Sequence, residues 1–259
     1  MSCDDSRCVP RRHLLHSTLL LLTRASPPAL FLATALWAVN SQPPPRVCTE
    51  FFDSDAVFTG QVIAVRSDPD PPDSEGGSLG WFYVLRVRKS FRGPAGRTIE
   101  VYTGNDSARF PLKKGLQYLL FARRFEGRLE IGNGGHSDFL EKSAAAISQI
   151  ERIRKTKSGG EIAGRIGWGD TADFQGVRIR AAGNKHTYEA LTDNLGWFHI
   201  SVPEGTYRVR AGTTDDEFVP FELSYDDPDH IVVHPGGCPQ MQFMPTESYR
   251  PNRPGPKPG

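Results

Sequence analysis

Short segments with alternating apolar residues, separated by glycine and proline, constrain the fold of this chain more than any other feature. Segments such as AVFTGQVIAVR (56–66) and WFHISV (197–202) are rich in β-branched and aromatic residues. A period of two is typical of strands that bury one face. With 26 glycines and 21 prolines in 259 residues, the chain has many turn residues between such segments. The sequence therefore predicts an all-β protein.

One segment, which follows the glycine-rich sequence GNGGH (132–136), has a helical pattern instead. Asp138 and Glu141 have the spacing of a capping box, in which Asp138 is the N-cap of a helix. Lysines and Gly159 then provide a cationic last turn and a stop. The expected buried stripe at helical spacing consists of Leu140, Ala144, Ile147 and Ile150 or Ile153.

The segment KSGGE (157–161) marks a predicted boundary between two domains. Residues 48–157 have strand patterns, a hairpin with its turn at 125–127 and the closing helix. Residues 161–245 have short strands at the spacing of a β-sandwich. We expect KSGGE to be an exposed linker, and the Pro- and Gly-rich residues 246–259 to be a disordered tail.

In the predicted sandwich, the alternation in WFHISV and TYRVRA assigns side chains to the two faces of a strand. Phe198 and Tyr207 are expected in the core, and His199 and Arg208 are expected to point outward.

Residues 1–41 differ in composition from the rest. Arg11 and Arg12 precede two apolar runs, and neither run reaches the roughly 20 residues that span a bilayer. A basic start, an apolar run and the polar exit SQPPP are typical of an export signal. Cleavage would leave a secreted or periplasmic chain without a transmembrane domain. The alternative is an uncleaved leader that tethers the protein to a membrane.

Export would also determine the chemistry of the cysteines. Cys3 and Cys8 lie in the leader, so Cys48 and Cys238 would be the two that remain. An oxidising compartment permits one disulfide between them. Two free buried thiols are the alternative, which the sequence leaves open.

Motifs of catalysis are missing from the sequence. The GNGGH segment lacks the lysine of a phosphate-binding loop, so we interpret it as a connection between a strand and the helix. His230 and His234 flank a strand pattern, which separates them by about 13 Å, too far to share one zinc ion. There is no G-x-S-x-G, H-E-x-x-H or C-x-x-C motif. We therefore expect no enzymatic activity, no cofactor and no metal.

The charge distribution gives little support for nucleic-acid binding. The formal net charge is +1, so no strong field would attract a polyanion. The segment RVRKSFRG (86–93) places cations beside Phe91, as in barrels that bind single strands. An exposed strand face protected by charges is the favoured interpretation.

Several segments carry a resemblance to known families. They are Cys48-Thr49 with FFDSDAVFTGQV, then YVLRVRKSFRG, VYTGNDSARF, GLQYLLFARRFEGRLEI and the closing helix. Residues 48–154 thereby resemble the N-terminal domain of the tissue inhibitors of metalloproteinases, a netrin-module barrel of the OB type. Further on, GVRIRA and TDNLGWFHISVPEGTYRVRA resemble the carboxypeptidase regulatory-like domain. The resemblances imply an OB-like barrel with a C-terminal helix, followed by a transthyretin-like β-sandwich.

The first resemblance implies a possible inhibitory site at Cys48 and Thr49. Members of that family chelate a protease zinc through the amine and carbonyl of a cysteine that is the mature N-terminus. Here residues 43–47 precede Cys48, and Glu50 replaces the second cysteine of the family's C-x-C motif. The later family cysteines, near Arg109 and near 135–136, are also missing. Cys238 is then the candidate disulfide partner of Cys48.

The sequence thus predicts a non-catalytic, exported binding or structural protein of the cell envelope, with a protein or another envelope component as its partner. A metalloprotease inhibitor that acts through the Cys48 region is the second hypothesis. A nucleic-acid-binding OB barrel is the third, although no nucleic acid is expected as a partner.

Overall fold

The computed structural model describes residues 46–69, 77–93, 96–167, 172–221 and 227–249. The predicted leader, residues 70–76 and the chain beyond Tyr249 lie outside these residues. The described residues belong to one compact unit. Strands predominate among them, and the all-β prediction is confirmed. Neither α-helix in this part of the chain has the length and apolar character that crossing a membrane requires.

Within the described part of residues 46–167, six strands form one sheet with the order β1-β2-β3-β5-β4-β6. They are β1 (Ala56–Pro69), β2 (Ser78–Arg92), β3 (Thr98–Gly104), β4 (Gln117–Phe125), β5 (Arg128–Glu130) and β6 (Asp138–Phe139). Because β1 also pairs with β4, strands β1 to β5 close into a barrel. We call these five strands the barrel. Closure leaves the strands of a small barrel without free edges.

Strand β1 can belong to two ladders because it bends. Its register against β2 shifts at several places, including Val57/Phe58 and Thr59/Gly60, and such bulges bend a strand. A Cβ atom at Gly60 would lie 3.2 Å from the carbonyl oxygen of Arg86. Glycine therefore suits the close approach of β2 at this bend.

The barrel core explains the apolar run in β4. Tyr118 and Leu120 point into the barrel, whereas Leu119 and Phe121 point outward and are also buried. The hairpin from β4 to β5 turns at Glu126 and Gly127, where φ is 47° and 85°. Two positive φ values are the mark of a tight hairpin turn, and the predicted turn is confirmed.

Two helices cover the outer face of β4. They are α1 (Val47–Asp53) and α2 (Ala144–Lys155). Val47 and Phe51 of α1 pack with Ile150 and Ile153 of α2 against that face. Burial of these apolar side chains, rather than a capping side chain, holds the helices in place.

The predicted start of the closing helix was wrong. Asp138 does not cap a helix, because Asp138 and Phe139 pair with β4 as strand β6. A short 3-10 helix, Leu140–Lys142, follows, and α2 begins only at Ala144. The hydroxyl of Ser143 donates to the carbonyl of Phe139 at 2.9 Å. Packing of Phe139 on Tyr118, with ring centroids 4.9 Å apart, outweighs the local capping signal.

The described part of residues 160–245 contains eight strands in two sheets, which we call the sandwich. The strands are β7 (Gly160–Ile166), β8 (Arg178–Ala182), β9 (Thr187–Leu191), β10 (Trp197–Val202), β11 (Gly205–Ala211), β12 (Phe218–Pro220), β13 (Ile231–Val233) and β14 (Gln240–Pro245). The sheet orders are β10-β7-β14-β12 and β13-β11-β8-β9. One buried apolar cluster contains residues of both sheets. Phe198 and Tyr207 are in this cluster, and His199 and Arg208 are exposed, as predicted.

Some residues of the predicted linker and tail have ordered structure. Lys157 and Ser158 are exposed, but Gly160 and Glu161 already belong to β7. In the tail, Tyr249 packs on Phe218 with ring centroids 4.6 Å apart. Ordered packing therefore extends to Tyr249, and the division into two domains stays a prediction.

Candidate functional site

Cys48 and Cys238 form a disulfide in the structure. Their Cα atoms are 5.5 Å apart, and 190 positions separate them in the sequence. Cys48 lies on helix α1, and Cys238 lies just before β14. The bond therefore joins the helix on the barrel to the sandwich.

Thr49 is enclosed next to this bond. Its side chain is buried, and its hydroxyl donates to the carbonyl of Cys238 at 2.6 Å. The two residues before Cys48 in the sequence are also held in place. The backbone amide of Arg46 donates to Oε1 of Gln240 at 2.5 Å, and Val47 is 2% exposed. Cys48 and Thr49, the two possible inhibitory residues, thus lie inside the contact between α1 and β14.

A buried carboxylate on α1 holds the glycine-rich loop. Oε2 of Glu50 accepts the backbone N–H of His136 at 2.7 Å and lies 2.7 Å from its Nδ1. A Cβ atom at Gly135 would lie 2.0 Å from Oε1 of Glu50, so a larger residue there would displace this carboxylate. The resemblance would place family cysteines at position 50 and near positions 135–136. Here a carboxylate–imidazole contact connects them, and the loop leads into β6 rather than directly into the helix.

A second contact between the two regions involves Glu161 on β7. Nη1 of Arg46 lies 2.5 Å from Oε1 of Glu161, and Nδ1 of His199 lies 2.6 Å from the same oxygen. Burial by itself would raise the pKa of Glu161. The hydrogen bonds from Arg46 and His199 outweigh this effect and hold the pKa below its ordinary value of 4.5.

The Glu161 contact is expected to weaken in acid. A carboxyl group whose pKa is lowered by folding stabilises the fold above its unfolded pKa, and this stabilisation disappears as pH falls through the folded pKa. Glu161→Gln should therefore lower the melting temperature at pH 7, and the difference from wild type should shrink below pH 4.5. The measurement is thermal unfolding from pH 7 to pH 3, with Glu189→Gln on the exposed strand β9 as control. A difference that is the same at both ends of this range would contradict the assignment.

The outer face of β10, β7 and β14 forms the floor of an open groove. Trp197 and Gln242 are both register partners of Arg165, so the three side chains form a row across three strands. The guanidinium of Arg165 is 5.1 Å from the ring centroid of Trp197, and its Nε donates to the carbonyl of Leu195. The carboxylate of Asp193 accepts the backbone N–H of Trp197 at 2.9 Å and orients the start of β10.

The barrel side provides the opposite wall of the groove. Its lining includes Asp53 of α1, Phe125 at the end of β4 and the glycines at 132, 134 and 135. The whole cavity has a volume of about 820 Å³. Because both the barrel and the sandwich contribute to it, the groove exists only while the two regions stay together.

Three of the four carboxylates in the described lining of the groove contact basic side chains. Asp53 lies 2.8 Å from a guanidinium nitrogen of Arg123, and Glu130 lies 2.7 Å from that of Arg128. Glu50 contacts His136, as described above. The groove therefore offers hydrogen-bonding groups of both signs rather than a field of one sign.

The other motifs of the sequence do not form a site. His230 contacts Asp227, and His234 stacks on Phe52 with ring centroids 4.6 Å apart. Among the described residues, no three histidine, cysteine, aspartate or glutamate side chains are grouped to hold a metal. Phe91, in the segment that suggested nucleic-acid binding, is buried.

The groove was not predictable from the sequence. Asp193, Gly196 and Trp197 form a turn that is visible in the sequence, but its neighbours Arg165 and Gln242 are distant along the chain. Only the strand order β10-β7-β14, which includes a parallel pair, brings them together.

The chain matches no family model and no curated protein. The resemblance to the tissue inhibitors of metalloproteinases and to the carboxypeptidase regulatory-like domain stays a prediction from the sequence.

Limited proteolysis checks the linker and the disulfide together. Trypsin is expected to cut early after Lys157, which is exposed, and to leave two fragments. Since the Cys48–Cys238 bond spans this position, the fragments should migrate together without reductant and separate with it. Lys157→Gln should slow this cut. Fragments that separate on a non-reducing gel would show that the bond is not formed.

Proposed function

We propose that this chain is an exported, non-catalytic binding protein of the cell envelope that holds its ligand in the groove between the barrel and the sandwich. The observation that carries the proposal is the Cys48–Cys238 disulfide beside that groove. Structural disulfides persist mainly in extracytoplasmic compartments, so the bond supports export. It also fixes α1, which borders the groove, to β14, which forms part of its floor.

The shape of the groove supports binding. Ligand sites are concave, have volumes of about 300–1,000 Å³ and often lie where two structural units meet. The groove has about 820 Å³ and combines apolar side chains, such as Trp197 and Met241, with amide, guanidinium and carboxylate groups. Such a surface can orient a ligand as well as bury it.

The inhibitor hypothesis is less compatible with the geometry around Cys48. Zinc chelation in that family needs a free cysteine amine. In this chain, Val47 precedes Cys48 and packs in the cluster between the two helices. Exposing the amine would remove Val47 and the contacts that Arg46 makes with Gln240 and Glu161.

The nucleic-acid hypothesis is also less compatible with the structure. Phe91, which would have to stack on a base, is 7% exposed. Lys89 lies above its ring, 4.8 Å from the centroid, and pairs with Glu151 of α2. This segment therefore contacts α2 and does not present Phe91 on an open binding face.

A variant that fills the groove provides the test. A Cβ atom at Gly134 would have no neighbour within 4 Å, and the residue does not require a positive φ. Gly134→Trp should therefore place a large side chain in the groove without disturbing the fold. Lys114→Trp, at an exposed position away from the groove, is the matched control.

The experiment is cosedimentation of the purified full-length protein with isolated envelopes of its source organism. We expect saturable binding for the wild type and for Lys114→Trp, and at least tenfold weaker binding for Gly134→Trp at an unchanged melting temperature. Equal binding by all three proteins would overturn the proposal that the groove holds the ligand.

A further inference from the structure

The geometry of the groove points to an uncharged sugar chain as its ligand, and we propose that it binds an oligosaccharide segment of an envelope polymer. This inference rests on the proposed function and names the class of its ligand. It depends on three properties of the groove, which are its aromatic and planar polar floor, its charge balance and its smooth glycine wall.

The floor has the two kinds of surface that a sugar ring needs. A sugar has apolar C–H faces and a rim of hydroxyl groups that both donate and accept hydrogen bonds. Trp197 offers an apolar ring surface with an N–H at its edge. Next to it in the row lies the amide of Gln242, a planar group suited to hydrogen bonds with hydroxyls. The buried guanidinium of Arg165 lies between them and packs on the Trp197 ring.

These floor groups are held in place before a ligand arrives. Gln242 donates from Nε2 to the carbonyl of Gly167 at 3.0 Å, and Arg165 is 7% exposed. Asp193 fixes the backbone of Leu195 and Trp197 through two hydrogen bonds. A preorganised floor lowers the entropy cost of binding, which matters for a ligand that gains little from apolar burial.

The charge balance favours an uncharged ligand. The described lining contains three arginines and four carboxylates. Asp53 and Glu130 contact arginines, and Glu50 contacts His136. The described lining has no large excess of one sign that would attract a polyanion or a polycation. Either ligand would also have to displace some of these contacts. Hydroxyl groups both donate and accept hydrogen bonds, so they can bind beside groups of either sign.

The barrel wall allows a broad chain to approach closely. Gly132, Gly134 and Gly135 line it without side chains. An extended peptide would instead be expected to add to a free strand edge. Among the described strands of the floor, β10 is such an edge and β7 is not, so the titration below includes a peptide probe.

Calorimetric titration of the full-length protein with trisaccharides tests the inference. The neutral probes are cellotriose, maltotriose and chitotriose, the charged probe is trigalacturonate, and tetra-alanine represents a peptide. We expect at least one neutral probe to bind with an affinity that 50 mM and 500 mM NaCl leave unchanged within twofold. Gly134→Trp and Trp197→Ala should weaken this binding at least tenfold, and Lys114→Trp should not.

The outcomes separate the inference from the proposed function. If no neutral probe binds, or if trigalacturonate or tetra-alanine binds more tightly, the sugar assignment is wrong. The proposed function still stands in that case if Gly134→Trp blocks cosedimentation with envelopes. If Gly134→Trp has no effect on cosedimentation either, both proposals fail.

Discussion

Replacement of both cysteines, Cys48→Ala with Cys238→Ala, should lower the free energy of unfolding by about 5 kcal/mol, the value that the chain-entropy model gives for a loop of this length. The bond connects residues 190 positions apart, so its loss increases the conformational entropy of the unfolded chain. The measurement is guanidinium denaturation of the oxidised protein, the reduced protein and the double variant.

The double variant also provides the control. Reductant should shift the midpoint of the wild type towards that of the variant, and it should have no effect on the variant itself. A wild-type midpoint that does not respond to complete reduction would show that the disulfide contributes no stability.

Phe198→Ala should destabilise the protein by about 3–5 kcal/mol, since it removes a large side chain from a packed core. Phe198 is 1% exposed, and its ring centroid is 6.3 Å from that of Phe243. A Cβ atom at Gly164 would lie 2.6 Å from the Phe198 ring, which shows how closely β7 approaches it. Neighbouring strands cannot easily close such a cavity.

Thermal unfolding measures this effect, with Ser201→Ala at an exposed position of the same strand as control. A melting temperature equal to that of the wild type would place Phe198 outside the stabilising core. The same melt tests the two-domain prediction. Two separate transitions in Phe198→Ala would indicate that the barrel unfolds independently of the sandwich, and one common transition would indicate a single cooperative unit.

The strands were largely predictable because their signal is local. A period of two in AVFTGQVIAVR or WFHISV follows from one buried face, and the β4–β5 turn follows from Gly127. The start of α2 was not predictable in this way. Asp138 and Glu141 have the local pattern of a cap, but Phe139 gains more by packing on Tyr118, a contact between residues far apart in sequence.

The candidate site depended on information that a single sequence does not contain. The sequence identified Cys48 and Cys238 as a possible pair, but the 5.5 Å between their Cα atoms requires α1 to lie against β14. The groove floor requires the strand order β10-β7-β14. The contact between Glu50 and His136 was also not predicted. It connects two positions at which the inhibitor family has cysteines and this chain has none.

The disulfide also has a mechanical consequence. Because Cys48 and Cys238 are covalently joined, tension applied to the segments outside this pair passes through the bond and bypasses the folded chain between them. The barrel and strands β7 to β13 lie between the two cysteines and would carry no load while the bond is intact, whereas β14 lies outside the pair. Reduction would place them directly in the path of the force.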